Sequence, residues 1–385
     1  MKKVFIDGLG LVDGHFSGVG QYILGILRGL DDLLEEKKYR GELVPEVFVI
    51  VPRDEVRKFK KFGFKHIGHK SFPIPFRYMS ALWRRRWLPP LDLLYGRGAY
   101  IFPRFVNMPL AFSKSALVIF DLSYELHRQY SDEGNAIFLS AQVRKSLKSS
   151  RQVITISQNA KKEIIDFYGL DKSLVSVATP AADQRVLYRR SASEIKKVKE
   201  KYSISGDYIL ALSNLEPRKN LDSLVEVYCK LPSKLRQNTP LLLVGVTGWK
   251  TDELFQKIVS KVHEGYDIIR PSAYVKDEDK PAIISGAKML VYPSHYEGFG
   301  MPPLEAFACG VPVIAADNSS LPEVIGDAGD MVPSDDTDQL LEKMIDYLEH
   351  IGERSELTLK EGPQRAKQFS WKKSAEVFLG VAEKL

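Results

Sequence analysis

Short runs of consecutive apolar residues alternate with longer stretches in which apolar positions recur every three or four residues, and this alternation continues along the chain. Continuous apolar runs predict strands buried on both faces, and the longer period predicts amphipathic helices covering them. In the first half the predicted strands are Lys3–Asp7, Val47–Val51, Leu93–Tyr95, Ala116–Phe120 and Val153–Ile156. Helices are predicted at Gly20–Leu34, Phe138–Ser149 and Gln158–Gly169. In the second half strands are predicted at Tyr208–Leu212, Pro240–Val244, Ile268–Pro271, Met289–Tyr292 and Val313–Ala315. The intervening helices are Leu221–Lys230, Thr251–Val262, Asp279–Gly286, Pro303–Cys309 and Thr337–Ile351, with a charged surface helix at Ser191–Lys201. The expected fold class is therefore α/β, with two Rossmann-like, doubly wound parallel sheets in succession. The boundaries follow as 1–185, 186–369, and a final segment 370–385. Trp371, Val377, Phe378 and Val381 give that segment helical spacing, and it is expected to pack back on the first domain. Ligands of open parallel sheets bind at the C-terminal strand edge, so two facing sheets would place a site in a cleft between domains.

Composition narrows the function classes. The chain has 385 residues, 44% hydrophobic and 27% charged, which suits two globular domains. Its two cysteines, Cys229 and Cys309, lack companions at ligand spacing, so neither a disulfide framework nor a zinc site is expected and a reducing compartment fits. The N-terminal apolar run is too short for a signal peptide, and no run is long enough for a membrane span. A soluble cytoplasmic protein follows. Charge divides unevenly, with residues 1–185 carrying +10 and the remainder −4. A basic half suits an anionic lipid or phosphorylated acceptor, while nucleic acid lacks any accompanying motif.

Loops that follow strands carry the chemistry. After the predicted strand ending at Tyr292 comes PSHYEGFGMPPLEAFACGVPVI, a glycine turn leading into a helix near Pro303. Amides of Gly298, Phe299, Gly300 and Met301, with the helix N-terminus, are expected to converge on an anion such as a diphosphate. Glu305, on the first helical turn, would offer a carboxylate to ribose hydroxyls. After the strand ending at Leu212, the stretch SNLEPRKN brings adjacent cations Arg218 and Lys219 to a strand–helix loop, where they suit a diphosphate leaving group. A solvated basic turn is the plainer account of the same residues. In DGHFSGVGQY, Gly18 and Gly20 would let backbone approach a ligand, though an ordinary helix start explains them too.

The E-x7-E spacing of Glu297 and Glu305 within EGFGMPPLEAFACGVPVI resembles the signature of family 4 glycosyltransferases of the GT-B fold, and the order of elements agrees over the whole chain. The resemblance implies that Glu297 lies by the donor sugar, Glu305 holds the ribose, and Phe299 and Gly300 meet sugar hydroxyls through their amides. It implies that Val275 meets the nucleotide base by main chain and that the Gly18–Gly20 loop reaches the diphosphate. NLEPRKN is similar to a subgroup of mannosyl- and rhamnosyltransferases of surface-polysaccharide assembly. Two departures stand out. Asn214 occupies a position where relatives commonly carry arginine, and Phe120 replaces a histidine beside Asp121. Asp121 is assigned to the acceptor pocket or to capping its own loop.

The implied activity is retaining transfer of a hexose, mannose first, from a GDP-, UDP- or dTDP-linked donor to a glycan or lipid-linked hydroxyl. The catalytic set is Glu297, Asp121, Arg218 and Lys219, with no cofactor and no metal. The acidic strings Asp277–Asp279 and Asp336–Asp338 precede helices and are read as caps. His127 and His295 are read as surface and turn residues. Residues 76–88 mix aromatics with arginines and are a candidate for docking on an anionic membrane at its inner face. The alternatives are a nucleotide-sugar epimerase on the same scaffold and a non-catalytic sugar- or nucleotide-binding partner.

Overall fold

The computed structural model describes residues 2–72 apart from 13–17, residues 74, 78, 82 and 87, and residues 89–237 and 239–385, with Val12 in its backbone only. Most of the basic aromatic stretch 76–88, and the first part of the glycine loop before Gly18, thus lie outside the described residues. The chain folds as two compact units. The first comprises Met1–Leu126, Glu133–Pro180 and Ser370–Leu385; the second comprises His127–Asp132 and Ala181–Phe369.

Unit 1 is a seven-stranded sheet of β1 (Lys3–Asp7), β2 (Glu46–Pro52), β3 (Ile67–Phe72), β4 (Ala99–Phe102), β5 (Ser115–Val118), β6 (Gln152–Thr155) and β7 (Val175–Val177). Its order is β3-β2-β1-β4-β5-β6-β7 and each of its pairings is parallel. Helices α1 (Gly18–Tyr39), α2 (Glu133–Ser149) and α3 (Gln158–Tyr168) connect these strands. Strands β4, β5 and β6 are buried at every position, as burial on both faces requires.

Unit 2 holds β8 (Tyr208–Leu212), β9 (Leu241–Val244), β10 (Ile268–Ile269), β11 (Ala287–Tyr292), β12 (Val313–Ala316) and β13 (Asp330–Val332), ordered β10-β9-β8-β11-β12-β13 and again parallel. Its main helices are α4 (Ala192–Lys201), α5 (Leu221–Lys230), α6 (Asp252–His263), α7 (Lys280–Ser285), α8 (Met301–Ala308), α9 (Thr337–Glu349) and α10 (Ile351–Lys367). Strand order reverses between β1 and β4 in unit 1 and between β8 and β11 in unit 2. The latter switch point is where a parallel sheet opens a crevice for a ligand.

One expected strand is a helix. Leu93–Tyr95 belongs to a short helix, Leu91–Tyr95, that follows Pro89 and Pro90. Asp92 within it accepts the backbone N–H groups of Ala111, Phe112 and Ser113, so its polar work is done by a loop. The strand of this region is β4, one step later. Strands β3, β7 and β13, unexpected from sequence, lie at sheet edges, where the apolar run is short or interrupted by polar residues. Helix α10 was also unexpected, and it contains Pro363. Among the described residues, no helix is long and apolar enough to cross a membrane.

The C-terminal helix, Trp371–Lys384, seats on α1 in unit 1 through two glycines. A Cβ at Gly25 would come within 2.3 Å of the Trp371 ring, and one at Gly29 within 2.3 Å of the Trp371 carbonyl oxygen. Trp371 meets Tyr22 edge-on at 5.7 Å, and Ser374 Oγ donates to the Thr179 carbonyl at 2.6 Å. Alanine ordinarily favours a helix over glycine by about 1 kcal/mol. Here the overlap is with backbone, and overpacking costs roughly 1–3 kcal/mol. Gly29→Ala is therefore expected to lower the unfolding midpoint by several degrees; a midpoint unchanged or raised by calorimetry would contradict this packing.

Candidate donor site in unit 2

The loop after β11 is built around a buried carboxylate. Glu297 is 6% exposed, and its two oxygens face two different cations. Lys219 Nζ donates to Glu297 Oε1 at 2.6 Å and to the Tyr292 hydroxyl at 3.1 Å. Arg218 Nη1 donates to Glu297 Oε2 at 3.0 Å and to the Tyr296 carbonyl at 2.7 Å. Its Nε and Nη2 both donate to Glu216 Oε1, at 3.1 and 2.7 Å. The arginine fork thus ties its own loop to the loop of residues 293–300, and the His295 N–H adds a bond to the Arg218 carbonyl at 2.9 Å.

Local sequence explains why these side chains point this way. Pro217 opens a single 3-10 turn, Pro217–Lys219, and Asn220 ends it in the left-handed region at φ 54°. Asn220 Nδ2 then donates to the carbonyls of Pro293 and Ser334. On the other loop, the Glu297 N–H donates to Ser319 Oγ, and Ser320 Oγ donates to the carbonyls of Glu297 and Phe299. Gly300 closes the turn at φ 110°, where a Cβ would also fall 2.7 Å from Leu321. Phe299 is buried and meets Phe369 edge-on at 5.4 Å.

Electrostatics follow from this packing. Burial alone would raise the Glu297 carboxyl, but Lys219 and Arg218 outweigh it and hold the group at about 2. Burial and the adjacent Arg218 pull the Lys219 ammonium below its ordinary value, against Glu297 and Glu216. The site is a preorganised set of fixed charges, with little to reorganise when a ligand arrives.

Helix α8 begins at Met301, two residues before the expected start at Pro303. Glu305 therefore sits on the second turn, not the first. It is 3% exposed and its Oε1 accepts from Lys280 Nζ at 2.7 Å. Pro302 and Pro303 have no N–H, so of the donors at this helix start only those of Gly300 and Met301 remain to face an anion. Gly298 is buried in the same turn. Val275 is half-buried and lines a small cavity of about 40 Å³ with Leu243, Val244, Gly245, Arg270 and Tyr274, beyond the C-terminal ends of β9 and β10. Asn214, just after β8, is exposed.

The sequence-assigned residues of unit 1 have these surroundings. Gly18 is the exposed first residue of α1, with no atom within 4 Å of a built Cβ, and Gly20 is buried two residues on. Asp121 Oδ1 accepts the Ser123 N–H at 2.9 Å, which caps the turn Ser123–Leu126. Phe120 is buried against Tyr22 at 5.1 Å and Phe105 at 5.3 Å, so an aromatic cluster fills the position where a histidine was expected. Of the two acidic strings read as caps, Asp336 does cap α9, accepting the Gln339 N–H at 2.9 Å. Asp279 instead takes Lys201 Nζ at 2.5 Å and the Tyr202 hydroxyl at 2.7 Å, with no side-chain capping bond.

Several residues of consequence were not singled out from sequence, or were set aside. Lys280 is one. Asp7 is another: buried at the end of β1, it pairs with Arg104 Nε at 3.0 Å. An acidic residue closing an apolar strand was the only signal for it. Within unit 2, His127 lies 4.4 Å from the Tyr296 ring, and Tyr130 stacks on His295 at 5.0 Å with the planes 8° apart. Trp249 Nε1 donates to the Tyr130 carbonyl. His127 and Tyr130 therefore pack on the loop that carries His295, Tyr296 and Glu297.

Comparison with known proteins decides the family. The model for glycosyl transferases group 1 matches residues 193–361. O-antigen chain mannosyltransferase B of Escherichia coli is 35% identical over 265 residues, covering 69% of this chain and 68% of that protein. The chain belongs to the group 1 glycosyltransferases. Serotype-specific mannosyltransferase WbdA of Escherichia coli is 32% identical over 228 residues, which span 58% of this chain and only 27% of that longer protein. Among solved structures, Anabaena HepE in complex with UDP and glucose has a TM-score of 0.72 at 15% identity, with both chains covered fully. WaaG, a glycosyltransferase involved in lipopolysaccharide biosynthesis, has a TM-score of 0.69 at 15% identity over 99% of each chain. This glycosyltransferase therefore has the GT-B fold, two Rossmann-like parallel-sheet units of seven and six strands. The family model spans Asn214, Arg218, Lys219, Val275, Glu297 and Glu305, whereas Gly18, Gly20 and Asp121 fall before it.

Proposed function

We propose that this glycosyltransferase moves a mannosyl group from GDP-mannose to a hydroxyl of a surface polysaccharide, with retention of anomeric configuration. The observation that carries the proposal is the buried Glu297 locked between Lys219 and Arg218 at the switch point of unit 2. The mannosyltransferases among its relatives support the choice of sugar. The cation pair suits the diphosphate of UDP- and dTDP-linked hexoses equally, and the test below separates these donors.

In this reading Arg218 and Lys219 take up the negative charge that grows on the diphosphate as the C1–O bond breaks. The acceptor oxygen forms its bond to C1 on the face the diphosphate leaves, and its proton passes to the departing phosphate oxygen. Bond made and bond broken share one face, so configuration is kept. Two fixed cations supply the charge that a divalent metal would otherwise bring, and activity should persist in a chelator. Glu305 takes the ribose and the main chain at Val275 meets the base.

The test is transfer from GDP-mannose to a polysaccharide acceptor, with UDP- and dTDP-hexoses in parallel and the product anomer read by proton NMR. An axial linkage from the axial donor is expected; an inverted product, or no transfer from GDP-mannose alongside transfer from another donor, overturns the mechanism or the donor respectively. Glu305→Ala is expected to raise donor KM by roughly 10- to 100-fold with a smaller change in kcat, since each charge-assisted hydrogen bond contributes about 1.5–3 kcal/mol.

A further inference from the structure

The donor loop explains Glu297, but it leaves Lys280, paired with Glu305, without a task. Lys280 is the first residue of α7, and its Nζ lies 2.7 Å from Glu305 Oε1. Both side chains are largely buried, at 19% and 5% exposure. Glu305 Oε2 accepts no hydrogen bond from a described residue, and it is not among the polar atoms sealed from the surface without a partner. One oxygen is thus fixed by the protein and the other is left to face a ligand.

The surroundings of Lys280 are equally specific. Burial pulls its ammonium down, yet Glu305, with Asp277 and Tyr274, holds it above the ordinary lysine value. The residue before it, Asp279, is anchored by Lys201 and Tyr202. Tyr274 and Val275, a few residues earlier, line the small cavity at the ends of β9 and β10. Lys280 therefore joins the segment beside that cavity to the carboxylate on α8. A carboxylate with one oxygen tied by a cation loses rotational freedom, and its second oxygen acquires a defined direction.

We propose that Lys280 is a positioning residue of the donor site, which by occupying Oε1 directs Glu305 Oε2 at the ribose hydroxyls and so sets the preference for ribonucleotide over deoxyribonucleotide donors. The proposal rests on the reading of Glu305 as the ribose carboxylate. Without Lys280 the Glu305 side chain is free to turn away, and hydroxyl recognition weakens while the diphosphate contacts of Arg218 and Lys219 remain.

The experiment measures binding of GDP and of 2′,3′-dideoxy-GDP by calorimetry, with UDP and dideoxy-UDP in parallel, for wild type, Lys280→Met, Lys280→Arg and Glu305→Ala. The wild type is expected to favour the ribonucleotide by about 10-fold or more, as loss of a charge-assisted hydrogen bond implies. Lys280→Met should reduce that ratio at least 3-fold with little loss of dideoxy binding, and Lys280→Arg should keep it. A merely structural lysine would weaken both nucleotides alike. Should Lys280→Met unfold, Lys280→Gln provides the same comparison. If Glu305→Ala loses the discrimination and folded Lys280 variants keep it, this proposal is overturned and the ribose reading stands. If wild type and Glu305→Ala show equal ratios, the ribose reading itself fails and the proposal falls with it.

Discussion

Glu297→Gln is expected to lower kcat by about 100-fold or more, as loss of one preorganised electrostatic contact at a reacting centre commonly does. The carboxylate accepts from Lys219 and Arg218 through separate oxygens, and a glutamine can offer an oxygen to only one of them. The other cation then faces an amide N–H₂ in a buried site, and breaking a buried ion pair in this way costs roughly 3–5 kcal/mol. The variant should therefore be less stable at neutral pH as well as slow. Its acid response should differ in a definite direction. In the folded enzyme Glu297 titrates at about 2, below the ordinary glutamate value of about 4.3. Its stabilisation is complete above that ordinary value and is lost as pH falls through the folded value. Between about pH 4.3 and 2 the wild type should lose stability more steeply than Glu297→Gln, as read from urea midpoints at a series of pH values. Parallel pH profiles would show that this carboxylate is not held by the two cations.

Lys219→Met should produce the second large effect. Methionine fills similar space, so the packing against Tyr292 is largely kept while the charge is lost. Arg218 alone then faces both Glu297 and Glu216, which lie on opposite sides of its fork. The cation set that would receive the diphosphate is halved, and the remaining arginine is more strongly committed to protein carboxylates. A fall in kcat of about 100-fold is expected, with weaker binding of the nucleoside diphosphate product. Since Lys219 is the strongest influence holding Glu297 down, the carboxyl should rise and the acid limb of stability should move to higher pH. Turnover within a few fold of wild type in a folded Lys219→Met would remove Lys219 from the proposed mechanism.

The sequence was most legible where structure is local. Strand β8 is buried at every position and α5 is amphipathic throughout, and both were expected at their observed bounds. Asp336 caps α9 because its partner is three residues away. Asp279 carries the same local signal, but Lys201 and Tyr202, 78 and 77 residues distant, compete for its carboxylate and win. The start of α8 was misjudged for a related reason. Pro303 suits a first turn, but Gly300 at positive φ closes the preceding loop, and the helix therefore opens at Met301. That shift of two residues is what moved Glu305 to the second turn and toward Lys280. The glycine turn between Glu297 and Glu305 was expected from sequence to offer its amides to an anion. The two prolines after Met301 remove N–H donors from it, so in the proposed mechanism more of that task falls on Arg218 and Lys219.

The most direct test of the donor site is nucleotide release. Purified wild type and Lys219→Met are each incubated with GDP-mannose and acceptor glycan, and the nucleoside diphosphate formed is quantified by ion-exchange chromatography. GDP released in step with mannose incorporated by the wild type, and nearly abolished in the folded variant, is the predicted result. Equal release by both proteins would contradict the role given to the Arg218–Lys219–Glu297 cluster.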